Sequence, residues 1–94
     1  MHFETRTGVG RLWTGNTLRL SNIPYRIDIS RSGGGLWRVE GQIEASFNEL
    51  TSLVLQNPSD LELELSDGTR WGCVLQNNSG RLLNSGRHNL PVPA

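Results

Sequence analysis

The chain has 94 residues, nine arginines, no lysine and nine acidic residues, for a formal net charge of zero; 35% of its positions are apolar and 11 are glycine. A chain of this length makes one small domain that buries only about two-thirds of its unfolded surface, with no room for a second domain around a large cleft. The lack of lysine excludes a Schiff-base, phosphate-binding or general-base lysine, and Cys73 with His2 and His88 is too few for an internal disulfide or a Cys/His zinc site.

Val9 to Trp13 and Thr17 to Leu20 read as strands around Thr14-Gly15-Asn16, but no single register satisfies every side chain, and the face of Trp13 stays open. Tyr25-Arg-Ile27-Asp-Ile29 and Trp37-Arg-Val39-Glu-Gly41-Gln-Ile43 alternate apolar and polar with period two, the mark of half-buried strands. Pairing Ile29 with Trp37 sets Ile27 against Val39 and Tyr25 against Gly41 on one face, and Asp28 against Arg38 and Arg26 against Glu40 on the other. Arg31 to Gly35 is then the loop of this hairpin.

Ser46-Phe-Asn-Glu49 has capping-box spacing, Phe47, Leu50, Leu53 and Val54 recur at helical spacing, and Asn57-Pro58 is a stop, which predicts a helix near 47–56. Leu61-Glu-Leu63-Glu-Leu65 and Thr69-Arg-Trp71-Gly-Cys73-Val-Leu75 form a second hairpin. A three-residue loop, Ser66-Asp67-Gly68 with Gly68 left-handed, pairs Leu63 with Trp71 and Glu64 with Arg70. Residues 1–77 are thus expected to form a barrel-like domain. In the polar segment 78–94, Leu82-Leu83 adds at most an edge strand before an extended tail.

The order β-β-β-α-β-β is that of an OB-like small antiparallel β-barrel, and also of a strongly twisted open sheet with one packed helix. Either is a mainly β fold. Charge runs in blocks of +4 over residues 1–39, −7 over 40–67 and +3 over 68–94. Such blocks neutralise one another across a sheet or divide a basic surface from an acidic one, and the hairpin registers favour the first.

Few residues suggest chemistry. Glu62 and Glu64 share a strand face roughly 7 Å apart, a spacing open to acid–base or metal work, but Arg70 is at hand as their partner. A hydrolase would need His2 or His88, both near a terminus, and Cys73 falls on an inward position as a small buried hydrophobe. No enzyme, cofactor or metal is expected. Trp37 and Trp71 share parity with apolar neighbours and read as core, whereas an exposed Trp13 among arginines would suit base stacking.

Asp28-Ile-Ser30-Arg-Ser-Gly33 fits the pattern D-x-S-x-x-G and resembles the second motif of the PilZ family, small barrels that bind a cyclic dinucleotide. The resemblance implies ligand contacts from Asp28, Ser30 and Gly33, with an N-terminal arginine stacking on guanine. It covers six residues, and the family's R-x-x-x-R motif has no counterpart, Arg6 and Arg11 being one residue too far apart.

The expectation is a non-enzymatic interaction module that meets a protein partner, or a second copy of itself, through strand edges and hairpin loops. The second strand of the first hairpin, with an outward Leu36, is the edge singled out. The alternative is a barrel for single-stranded nucleic acid or a nucleotide, with Arg6, Arg11, Arg31 and Trp13 on one basic face. No stretch reaches the ~18 apolar residues of a spanning helix and the N-terminus lacks the apolar run of a signal peptide, so a cytoplasmic protein without a membrane partner is expected.

Overall fold

A computed structural model describes residues 2–31 and 34–85, with only the backbone of His2 and Phe3. The first hairpin is far longer than its apolar alternation suggests: β1 is His2–Thr14 and β2 is Thr17–Arg31, which joins the expected strands at 17–20 and 25–29 into one. Register shifts opposite Gly10–Leu12 and Leu12–Trp13, each with an extra residue on β2, explain why no single pairing fits the sequence. β1 keeps its period-two alternation past them, with Gly8, Gly10 and Leu12 on the inner face. Here Leu12 is fully buried, while the half-buried Trp13 lies among charged side chains of the outer face.

After β3 (Trp37–Ile43), the helix α1 (Phe47–Gln56) begins and ends where its sequence dictates. Ser46 accepts from the Glu49 N–H, the Glu49 carboxylate accepts from the Ser46 N–H, and Asn57 caps the other end in the left-handed conformation. Leu50 and Leu53 enter the core and Val54 packs against it. Phe47 departs from the expected apolar face and is 67% exposed. It stands about 60° around the helix from Leu50 and about 120° from Leu53, at the margin of the stripe that meets the barrel.

Then follow β4 (Leu61–Glu64), β5 (Arg70–Leu75) and β6 (Arg81–Asn84). The strands form a closed barrel in the order β1-β2-β3-β6-β5-β4, with β4 back against β1 and every pair antiparallel. Closure decides between the barrel and the open sheet. It also corrects the reading of Leu82-Leu83 as an edge, because β6 lies between β3 and β5 and adds a sixth strand to the OB-like order. Leu82 is fully buried there.

The β4–β5 hairpin has the expected register, Leu63 opposite Trp71 and Glu64 opposite Arg70, and Gly68 takes φ +89°. In the β2–β3 hairpin the register is two residues away from expectation: Ile29 faces Val39, Ile27 faces Gly41 and Asp28 faces Glu40. A shift of two keeps the apolar set inside but removes the expected Asp28–Arg38 and Arg26–Glu40 pairs. Charges are met along the strands and across to β6 instead, by Arg26–Asp28 at 3.4 Å, Arg38–Glu40 at 3.0 Å and Arg81–Glu40 at 3.1 Å.

The core explains the choice. Trp71 is fully buried, and a Cβ on Gly41 would come within 2.8 Å of its ring. Only glycine leaves space for that ring at the centre of β3, and burying a large aromatic outweighs exposed ion pairs worth at most about 1 kcal/mol each. Trp37, expected in the core beside Trp71, is only half-buried against it, with the Arg31 guanidinium 5.6 Å from its ring centre.

Candidate functional site at the seam of the barrel

Strand β1 changes neighbours part-way along its length. From Thr14 to Arg11 it lies between β2 and β4, ending with Arg11 opposite Glu64. β4 then reverses through Ser66–Gly68, while β1 runs on beside β2 to His2. Among the described residues no strand pairs with the other side of β1 between residues 2 and 10. The Glu44 N–H donates to the Pro24 carbonyl at 3.0 Å, so that carbonyl faces β3 and the N–H and C=O of Tyr25 face β1. Gly8, opposite Tyr25, therefore bonds to β2, and its neighbours Thr7 and Val9 direct their N–H and C=O away from the sheet.

A cleft of about 580 Å³ lies at this point, with Val9, Gly10 and Arg11 on one wall and Ser66, Asp67 and Gly68 on the other. Its far wall is fixed. The Tyr25 hydroxyl accepts from the Ser66 N–H at 3.0 Å and shares a hydrogen bond with the Ser66 hydroxyl at 3.1 Å. The Asp67 carboxylate accepts from the Thr69 N–H at 2.9 Å, which holds its pKa below the ordinary value. Gly10 sets the near wall, because a Cβ there would lie 2.1 Å from the Glu64 carbonyl oxygen.

Charge is balanced next to the cleft. Glu64 accepts from the Trp13 indole N–H at 2.8 Å and from Arg11 at 3.0 Å, and Arg70 pairs with Glu62 at 3.2 Å. The guanidinium groups of Arg11 and Arg70 lie 5.7 and 4.5 Å from the Trp13 ring centre. The indole hydrogen bond, followed by the charge of Arg11, holds Glu64 below its usual pKa against the opposing effect of burial. A carboxyl whose pKa falls on folding stabilises the protein above its unfolded-state pKa, and that contribution is lost as pH falls through the folded value. Glu64→Gln is therefore expected to lower stability at pH 7 by up to about 1.5 kcal/mol for a partly exposed charged hydrogen bond, read as a lower urea midpoint. The difference from wild type should shrink below pH 4.

The sequence-derived candidates fall in separate places. Arg11 and Trp13 meet at the seam. Asp28 lies opposite Thr5, eight residues from Trp13 and about 26 Å along the strand, and accepts from the Thr5 hydroxyl at 2.8 Å. Ser30 and Arg31 are farther still, at the end of β2, and Gly33 lies outside the described residues. Arg6 shares the barrel-facing parity of Gly8 and Gly10 and pairs with Glu4. The structure thus does not gather Arg6, Arg11, Arg31 and Trp13 on one basic face.

Thr7 to Gly10 and the Ser66–Gly68 wall were not candidates, although the β-branched Thr5, Thr7 and Val9 at period two mark an extended strand. Cys73 is buried, and desolvation pushes its thiol up to about 12. It should resist thiol reagents at neutral pH in the folded protein and react only after unfolding, which a timed assay with and without denaturant checks. Among the described residues no group of three His, Cys, Asp or Glu is placed to hold a metal, and no helix is long and apolar enough to cross a membrane. His88 and the His2 side chain lie outside the description. Comparison with protein-family models, with curated proteins and with solved structures yields no match.

Proposed function

We propose that the protein is a non-enzymatic interaction module that takes up an extended segment of a partner at the edge of β1. The observation that carries this reading is that β4 pairs with only four of the thirteen residues of β1 and then turns away, while Thr7 and Val9 point backbone groups outward beside the cleft. A strand added there would continue the line of β4, with main-chain hydrogen bonds for affinity and cleft contacts for selectivity. The second strand of the first hairpin is a poorer edge, since β6 occupies Glu40 to Gln42 of β3.

The titratable groups at the seam are engaged with one another, Glu64 with Trp13 and Arg11 and Glu62 with Arg70. That favours a docking surface over acid–base chemistry. The same contacts place cations over the Trp13 ring and carboxylates beside those cations, an arrangement less suited to stacking bases or binding a nucleotide. Peptides selected from a random library against the immobilised protein should bind extended and shift the Thr7 and Val9 amide signals, and Val9→Pro should abolish both effects. Ligands that shift only α1 signals would overturn the reading.

A further inference from the structure

We propose that the segment taken up beside Thr7 and Val9 is the free amino end of a partner chain, lying antiparallel to β1 with its ammonium group against Asp67. The inference rests on the strand-addition reading above and names the chemistry of the occupant. A strand added in line with β4 cannot continue past Val9 toward Arg11, because Arg11 is already opposite Glu64 and the chain beyond Glu64 closes into a turn. In that turn the Leu65 N–H donates to the Thr69 carbonyl at 2.7 Å, the Gly68 N–H donates to the Leu65 carbonyl at 3.0 Å, and Tyr25 holds Ser66. The incoming chain therefore meets a fixed wall at Val9, where a chain end fits and a strand running through would have to turn away.

Charge decides which end. Around this wall Arg11 is matched by Glu64, and Arg6, whose charge acts on Asp67, is matched by Glu4. Asp67 is the charge left over, an exposed carboxylate that takes the Thr69 N–H on Oδ1. A strand antiparallel to β1, the direction of β4, brings its amino end here, whereas a parallel one brings a carboxylate to face Asp67 and Glu64. An ammonium group offers three N–H donors, and acceptors for them line the cleft: the Asp67 carboxylate, the Ser66 hydroxyl and the Asn22 carboxamide oxygen. The first side chain, opposite Val9, falls on the outer face beside Val9, which is 52% exposed, and near the exposed Pro24 across from it on β2, so an apolar first residue suits the position. The pairing uses Thr7 and Val9 alone, and the charged end supplies affinity that so short a ladder lacks.

Random octapeptides anchored through their carboxyl ends, with the amino end free or acetylated, test the proposal on the full-length protein and on Asp67→Ser, which keeps a hydroxyl acceptor for the Thr69 N–H. Selected peptides are then made in soluble form for titration. Free-ended peptides should shift the Thr7 and Val9 amide signals, and acetylating each should weaken binding at least tenfold. Asp67→Ser should weaken the free-ended peptides by a similar factor and leave their acetylated forms unchanged. Peptides that shift those amides but ignore acetylation would overturn the amino end and leave strand addition standing, as would acetylated binders that depend on Asp67 through an internal lysine or arginine. An acetylation effect that survives Asp67→Ser would overturn Asp67 as the partner of the ammonium group. If no peptide of either kind shifts Thr7 and Val9, both readings fall.

Discussion

Trp71→Ala is expected to cost about 3–5 kcal/mol, a large share of the roughly 5–15 kcal/mol that holds a domain of this kind together. The ring is fully buried, it faces a glycine on β3, and its indole N–H donates to the Asn84 side chain at 3.0 Å. Removing it therefore empties the centre of the barrel and strips the contact between β5 and the strand that completes closure. Gly41 has no side chain to move into the space, so the cavity relaxes little and the penalty lies toward the upper end. Urea denaturation followed by far-ultraviolet circular dichroism should show a transition moved to low urea or lost. A partial recovery in the Trp71→Ala, Gly41→Leu double variant would show that the two positions share one volume. A loss under about 1 kcal/mol would mean that the barrel is not packed around this ring.

Local signals were legible in the sequence and long-range ones were not. The cap at Ser46 and Glu49, the stop at Asn57 and the turn at Gly68 each depend on residues within four positions of one another, and α1 and the β4–β5 register follow from them. The β2–β3 register depends instead on Gly41 meeting Trp71, thirty residues later, which alternation within the hairpin cannot reveal. β6 is four residues, only two of them apolar, in a polar stretch of chain, and its place between β3 and β5 follows from barrel closure. At the site, Trp13 and Arg11 were visible as residue types, but their partners Glu64 and Arg70 come from β4 and β5, more than fifty residues later in the chain. The stretch from Thr7 to Gly10 carries few apolar side chains because it runs beyond the closed part of the barrel. The feature that makes it a candidate edge therefore also hides it from a search for hydrophobic patterning.

Gly10→Ala is expected to open the seam. The added Cβ would lie 2.1 Å from the Glu64 carbonyl oxygen and 3.2 Å from the Tyr25 ring, and the first of these neighbours is backbone that cannot rotate away. β1 and β4 must separate, which strains the Arg11·Glu64 pairing and the hydrogen bonds that Trp13 and Arg11 give to Glu64. A cost above about 3 kcal/mol follows, in the range reserved for strained backbone or broken buried contacts. Gly8→Ala is a graded control: its Cβ would meet the Tyr25 hydroxyl at 2.7 Å, a side chain able to shift at the expense of its bonds to Ser66, so it should cost less. The Trp13 indole N–H signal reports the outcome directly, losing its hydrogen-bonded shift in Gly10→Ala and keeping it in Gly8→Ala. If Gly10→Ala is as stable as wild type with that signal unmoved, β4 does not close on β1 as described. The uncovered edge would then extend past Gly10 toward Thr14, and a partner strand would have more of β1 to occupy.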